Sequence, residues 1–177
     1  MKILSIMLIF AGVILIDGIL LPSLFHVYGG LLGFAFLASL LVVYGNEPAI
    51  LVLALVVSFA LELWHGFYFA SLAGAVICTA GIWQMANDFF SIEPFINQRE
   101  ASLSSALPLL GVGYVLVAVT SIVFLGIEKY LYRADVSWAT LRLAVLSPTG
   151  WLVVGCGLMT CMLLMRLSAR GSGYDPK

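Results

Sequence analysis

The chain has 177 residues, of which 63% are hydrophobic and only 10% charged, and its mean hydropathy is +1.13. A soluble domain carries about 45–50% apolar and about 25% charged residues, so this chain lacks the ionisable side chains that a water-facing surface needs. A formal net charge of −1 leaves no basic stripe to neutralise phosphates, which excludes a nucleic-acid reader. What remains is an all-α integral membrane protein, a polytopic bundle of about six transmembrane helices forming one domain over residues 1–177.

In chain order, Met1-Lys2 precede an apolar run, Ile3–Leu21, broken by Ser5, Gly12, Asp17 and Gly18. The apolar core of a secretory signal is about 7–15 residues and is followed by a small-residue cleavage site. This run is longer and ends in Leu21-Pro22-Ser23-Leu24, the pattern of a retained anchor helix. A helix needs about 20 residues to cross a hydrocarbon core about 30 Å thick. The second span is Val27–Tyr44, stopped by Gly45-Asn46-Glu47-Pro48, and the third is Ala49–Trp64, interrupted near its end by Glu62. Phe67–Phe90 is the fourth span, joined to the third by a tight turn about Trp64–Phe67 in which Gly66 is the breaker. The fifth is Ser102–Ile127. The sixth is Pro148–Leu167, with Ser147 as N-cap and Pro148 at the first helical position. Apolar residues run continuously rather than alternating, which sets β-barrel strands aside.

Two connections exceed a turn. Asp88–Ala101 mixes Phe89, Phe90, Ile92, Phe95 and Ile96 with acids and suits the cytoplasmic interface. Glu128–Ser147 places Tyr130, Tyr132 and Trp138 beside Arg133, Asp135 and Arg142, a pairing that suits lipid headgroups. The tail Arg170–Lys177 reads as flexible. With the N-terminus inside, Lys2, Arg99, Arg166, Arg170 and Lys177 are cytoplasmic and Lys129, Arg133 and Arg142 are outside, a modest positive-inside bias.

Small residues that let helix backbones approach recur at Gly29/Gly33, Ala70/Gly74 and Gly157/Cys161, a spacing that more often serves packing within a bundle than contact with a partner. Cys78, Cys156 and Cys161 lie in apolar runs without a CxxC and read as packing residues. Ionisable groups at membrane depth carry more information, because each is costly there and needs a partner. Asp17 lies about 15 residues, roughly 21–23 Å, along the first helix. Glu62 closes the third helix, His65 follows in its turn, and His26 follows the first helix. All four gather near the outer leaflet. The plainest reading is interfacial residues, solvated or paired with Lys129, Arg133 or Arg142. A binding or coupling role at the outer mouth is the second reading, and a metal site or proton relay the third. No spacing matches HExxH, and no nucleophile carries a GxSxG signature. No catalytic, cofactor-binding or metal-binding residue is assigned.

The hydropathy profile, the length and the stretch Phe59–Gly74 (FALELWHGFYFASLAG) resemble the bacterial rod shape-determining protein MreD family. In that family the third span ends in an acidic residue, followed by a short glycine-bearing turn and a glycine early in the next helix. Glu62, Gly66 and Gly74 stand at these positions. The first span running into Leu21-Pro22 and the last span from Trp151 to Arg166 are also similar. The family more often has Asp at the acidic position, and His65 departs from its pattern. The resemblance implies a non-enzymatic scaffold of the cell-wall elongation machinery in the bacterial cytoplasmic membrane, associated with membrane lipid and an MreC-like protein. Through that protein it would meet the actin-like filament protein and the cell-wall synthesis proteins. The alternative is a substrate-binding subunit of an energy-coupling-factor vitamin transporter, whose fold MreD resembles, with a ligand cavity near Asp17, Glu62 and His65.

The six-span topology is checked by cysteine accessibility after replacement of Cys78, Cys156 and Cys161. An impermeant outside reagent is expected to label Val136→Cys and spare Asn46→Cys; the reverse pattern inverts the topology.

Overall fold

The computed structural model describes residues 2–20, 23, 30–45, 47–90, 103–133 and 147–171. Among these residues all regular structure is helical. Helix α1 (Lys2–Leu15) continues into a π-helical turn, Ile16–Leu20. It is followed by α2 (Leu31–Tyr44), α3 (Pro48–His65), α4 (Ser71–Phe90), α5 (Leu103–Tyr130) and α6 (Pro148–Gly171). Helices are what a chain this apolar must form, because hydrocarbon offers no partner to a free backbone N–H or C=O.

Four segments are long and apolar enough to cross a membrane: Ile3–Leu20, Pro48–His65, Pro108–Tyr130 and Pro148–Ser168. The chain is therefore described as a multi-pass membrane protein. Two of the six expected spans fall short of that standard, for different reasons. Helix α2 is apolar but only 14 residues long, about 21 Å at 1.5 Å per residue; residues 27–29, expected to begin it, lie outside the described residues. Helix α4 has 20 residues, but Gln84, Asn87 and Asp88 make its second half polar.

The short helix is the middle of the bundle. Helix α2 packs most extensively on α6, then on α5 and α3, and also on α1. Consecutive residues from Gly33 to Val42 are buried, so no face is left for lipid, as expected of a helix that is hydrophobic all round. Close approach comes from glycines. A Cβ at Gly33 would lie 3.0 Å from the Leu61 side chain, and one at Gly157 would lie 2.5 Å from Leu32 and 3.3 Å from the Ala35 Cβ. A Cβ at Gly74 would sit 3.1 Å from Ile127. Gly33, Gly74, Gly157 and the buried Cys161 are thus spent inside the bundle, whereas Ala70 lies in the turn before α4; Gly29 lies outside the described residues. Polar side chains in the interior are satisfied locally. Thr120 donates to Thr79 at 3.1 Å, and the hydroxyls of Ser39, Ser58 and Ser121 donate to carbonyls one turn back. At the start of α6, the Ser147 hydroxyl accepts the Gly150 N–H at 2.9 Å with Pro148 at the first position, as the sequence pattern predicts.

Helix α2 begins at Leu31 with Gly30 as its N-cap, rather than running unbroken from Val27, and three other helix limits differ from expectation. The fourth helix begins at Ser71 rather than Phe67, because the turn continues past Gly66 to Ala70, itself in the left-handed region at φ 62°. Helix α5 runs on to Tyr130, so Glu128 is helical rather than the first residue of a loop. Helix α6 runs to Gly171, so Arg170 is helical rather than part of the tail. The remainder of both long connections, the tail beyond Gly171, His26, Arg99 and Arg142 lie outside the described residues.

Chain reversals at the two described glycine C-caps are not equivalent. Gly66 has φ 68° and ψ 30°, left-handed helical values that Asn or Asp also adopts. Gly45 has φ 59° and ψ −135°, a combination essentially confined to glycine. The sequence suggests that Gly66 is the less replaceable, because Asn46 and Pro48 supply other turn chemistry after Gly45; the backbone reverses that ranking. Gly45→Ala is expected to lower thermal stability in mild detergent more than Gly66→Asn does, by about 1–2 kcal/mol. Equal losses would contradict it.

Candidate functional site

One end of the bundle gathers the C-terminal turns of α1, α3 and α5 with the first turns of α2 and α4. At this end the sequence places acids where helices finish, and the structure uses them where the next helices start. The first four N–H groups of a helix have no partner within it, and its dipole puts partial positive charge there.

Asp17, on the π-helical turn, is 0% exposed. Its Oδ2 accepts the N–H of Gly30 at 2.8 Å and of Gly33 at 3.2 Å, and Leu32 N–H lies 3.4 Å from Oδ1. The residue at the N-cap of α2 is Gly30, which has no side chain to cap with and sits at φ 110°. Asp17 therefore caps α2 from a different helix.

Glu62, in the last turn of α3, is 2% exposed and repeats the arrangement on α4. Its Oε1 accepts Leu72 N–H at 2.6 Å and Ala73 N–H at 2.9 Å, while Oε2 accepts Ala70 N–H at 2.9 Å. Glu128, 7% exposed near the end of α5, closes the same corner. Its Oε1 lies 3.4 Å from Tyr68 N–H and 3.4 Å from the Ser71 hydroxyl. Tyr68 stacks on Tyr132 at 4.9 Å, and the Tyr132 hydroxyl donates to the Phe69 carbonyl.

His65 ends α3. Its Nε2 stands 3.6 Å from Asp17 Oδ2, and its ring stacks on Phe67 at 5.4 Å between centroids. The neighbouring Trp64 lies against Gly18: a Cβ there would collide with the indole Nε1. Outside the turn an open groove of about 440 Å³ is lined by Phe59, Leu63, Gly66, Phe67 and Phe69, with Glu62 as its acidic member.

Of the residues singled out in the sequence, Asp17, Glu62, His65 and Gly66 come together at this end. Gly74 lies one turn into α4 and serves packing against Ile127 instead. The basic partners expected for Glu62 are corrected: among the described residues its carboxylate is held by α4 amides rather than by Lys129 or Arg133. The described residues contain no group of three or more His, Cys, Asp or Glu arranged to hold a metal ion. Glu128 is the acid that the sequence reading passed over. Its signal was a seven-residue spacing from Ser121, which puts both on one helical face. Comparison of the chain with protein-family models, curated proteins and solved structures finds no match.

Amide capping and ion pairing by Glu62 separate by substitution. Glu62→Ala leaves the amides of Ala70, Leu72 and Ala73 at the start of α4 without their acceptor and is expected to cost about 1–3 kcal/mol, with Glu62→Gln costing less because one oxygen still accepts. Arg133→Gln is expected to leave thermal stability within about 0.5 kcal/mol of the parent protein. A loss on Arg133→Gln matching that of Glu62→Ala would restore the ion pair.

Proposed function

We propose that this chain is a non-enzymatic, MreD-like membrane scaffold of the bacterial cell-wall elongation machinery. It resides in the cytoplasmic membrane with six spans and both termini cytoplasmic. In this topology α2 crosses under cover of its neighbours and α4 crosses beside α5. The acids and His65 then face the outer leaflet. Its partners are membrane lipid, an MreC-like protein and, through it, cell-wall synthesis proteins.

The observation that carries this reading is the use made of Glu62. The segment bearing the resemblance, Phe59–Gly74, is a helical hairpin whose acid is committed to the amides of the returning helix. A ligand-binding subunit would instead turn converging polar groups into a cavity. Beside Glu62 the groove is walled by Phe59, Leu63, Phe67 and Phe69. An acid that fixes the angle between two helices suits a protein whose task is to present a stable surface.

Affinity capture of the full-length tagged chain from native bacterial membranes in gentle detergent tests the reading. Recovery of an MreC-like protein with wall-synthesis proteins is the expected outcome. Recovery of an ATPase module of a vitamin transporter instead would replace the scaffold with the transporter subunit.

A further inference from the structure

His65 carries the buried side-chain nitrogen that, among the described residues, has no hydrogen-bond partner. The side chain is 10% exposed, and its Nε2 lies 3.6 Å from Asp17 Oδ2. That separation is beyond a direct hydrogen bond. Neither neutral form of the ring makes use of the contact. A bare Nε2 lone pair opposes a carboxylate, and an Nε2–H finds its acceptor out of reach. Two further features converge here. Asp17 sits on a π-helical turn, a deformation concentrated at functional sites, and Trp64 presses the end of α3 against Gly18 of that same turn.

We propose that His65 and Asp17 form a proton-operated latch between α3 and the α1–α2 hairpin. A proton from the aqueous phase at this end of the bundle adds to the Nε2 lone pair of the Nδ1–H tautomer, giving an imidazolium. Its Nε2–H closes the gap to Asp17 Oδ2 as a charge-assisted hydrogen bond, and the two charges neutralise each other. Because the same oxygen accepts the amides of Gly30 and Gly33, closing the latch pins α3 to the cap of α2. Histidine is the side chain suited to such a role, since its charge ordinarily changes between about pH 5 and 8.

Other titratable groups at this end have their own engagements. Glu62 is held by the α4 amides, Glu128 by Tyr68 N–H and Ser71, and Tyr132 by the Phe69 carbonyl. Tyr68 stacks on Tyr132, and Lys129 and Arg133 lie at and just beyond the end of α5. Asp17 is the described acid within ion-pairing reach of the imidazole. The latch is independent of the scaffold reading, because it requires no partner protein.

The test uses the full chain in lipid nanodiscs with ¹⁵N-labelled histidine. The chain has two histidines, so His26→Gln assigns the signals. Imidazole nitrogen shifts report the protonation state directly between pH 8 and pH 5, without altering residue 65. The expected result is a neutral His65 ring with hydrogen on Nδ1 at pH 8 that becomes doubly protonated on acidification. Over the same range, hydrogen exchange of the Gly30 and Gly33 amides, corrected for intrinsic rates, should slow roughly tenfold, as one added bond to a charged group warrants. In His65→Gln the corrected rates should be the same at both pH values. A His65 ring that stays neutral to pH 5, or one that protonates with no change in those two amides, overturns the latch. So does a pH dependence that survives in His65→Gln.

Discussion

A carboxylate set against the start of a helix, away from water, is the interaction around which this bundle closes. In a soluble protein the free amides of a helix's first turn can turn to solvent. At membrane depth an unsatisfied amide costs several kcal/mol, and an unpartnered carboxylate costs more. Bringing the two together removes both liabilities, because charge-assisted bonds and the helix dipole act in the same direction. The chain does this at α2 with Asp17 and at α4 with Glu62.

The acids are distant in sequence from what they cap. Asp17 lies 13 residues before Gly30, and Glu62 lies 8 residues before Ala70. Each bond is therefore tertiary: it fixes how a returning helix lies against the outgoing one. Side-chain length follows the local backbone. Asp17, the shorter acid, meets amides belonging to Gly30 and Gly33, where no Cβ stands in the way. Glu62, the longer one, spans a turn that carries Phe67, Tyr68 and Phe69. Glu128 then anchors the same turn to α5 through Tyr68 and Ser71, tying three helices at one corner.

Much of this was legible in the sequence, and the failures have physical causes. Uninterrupted apolar runs identify the helices, and Ser147-Pro148 marks the start of the last one within a residue. Asp17, Glu62 and His65 stand out because ionisable groups at membrane depth are rare. The donors to the two acids do not stand out, because a charge read from a sequence suggests an opposite charge, whereas here the partners are backbone amides. The π-helical turn has no residue signature, and Glu128 was hidden by a helix end drawn at Ile127, three residues short of the observed Tyr130. Hydropathy also could not distinguish a helix surrounded by lipid from one surrounded by protein. Helix α2 reads as an ordinary span, although its neighbours wrap it on every side.

That wrapping bears on how the protein is made. The helix that covers most of α2 is α6, and the Tyr44 hydroxyl donates to the carbonyl of Met165, 121 residues later in the chain. Ribosomes deliver sequence from the N-terminus onward, so α2 emerges well before its principal neighbour exists. During that interval the flank awaiting α6 meets acyl chains or the insertion machinery. A polar stripe reserved for α6 would be stranded there. Leu32 and Ala35 on that flank are apolar and Tyr44 at its end brings a hydroxyl on an aromatic ring, so the same surface is at home first in lipid and afterwards in protein. The uniform greasiness of the central helix thus suits both its final seat and the unfinished molecule that precedes it.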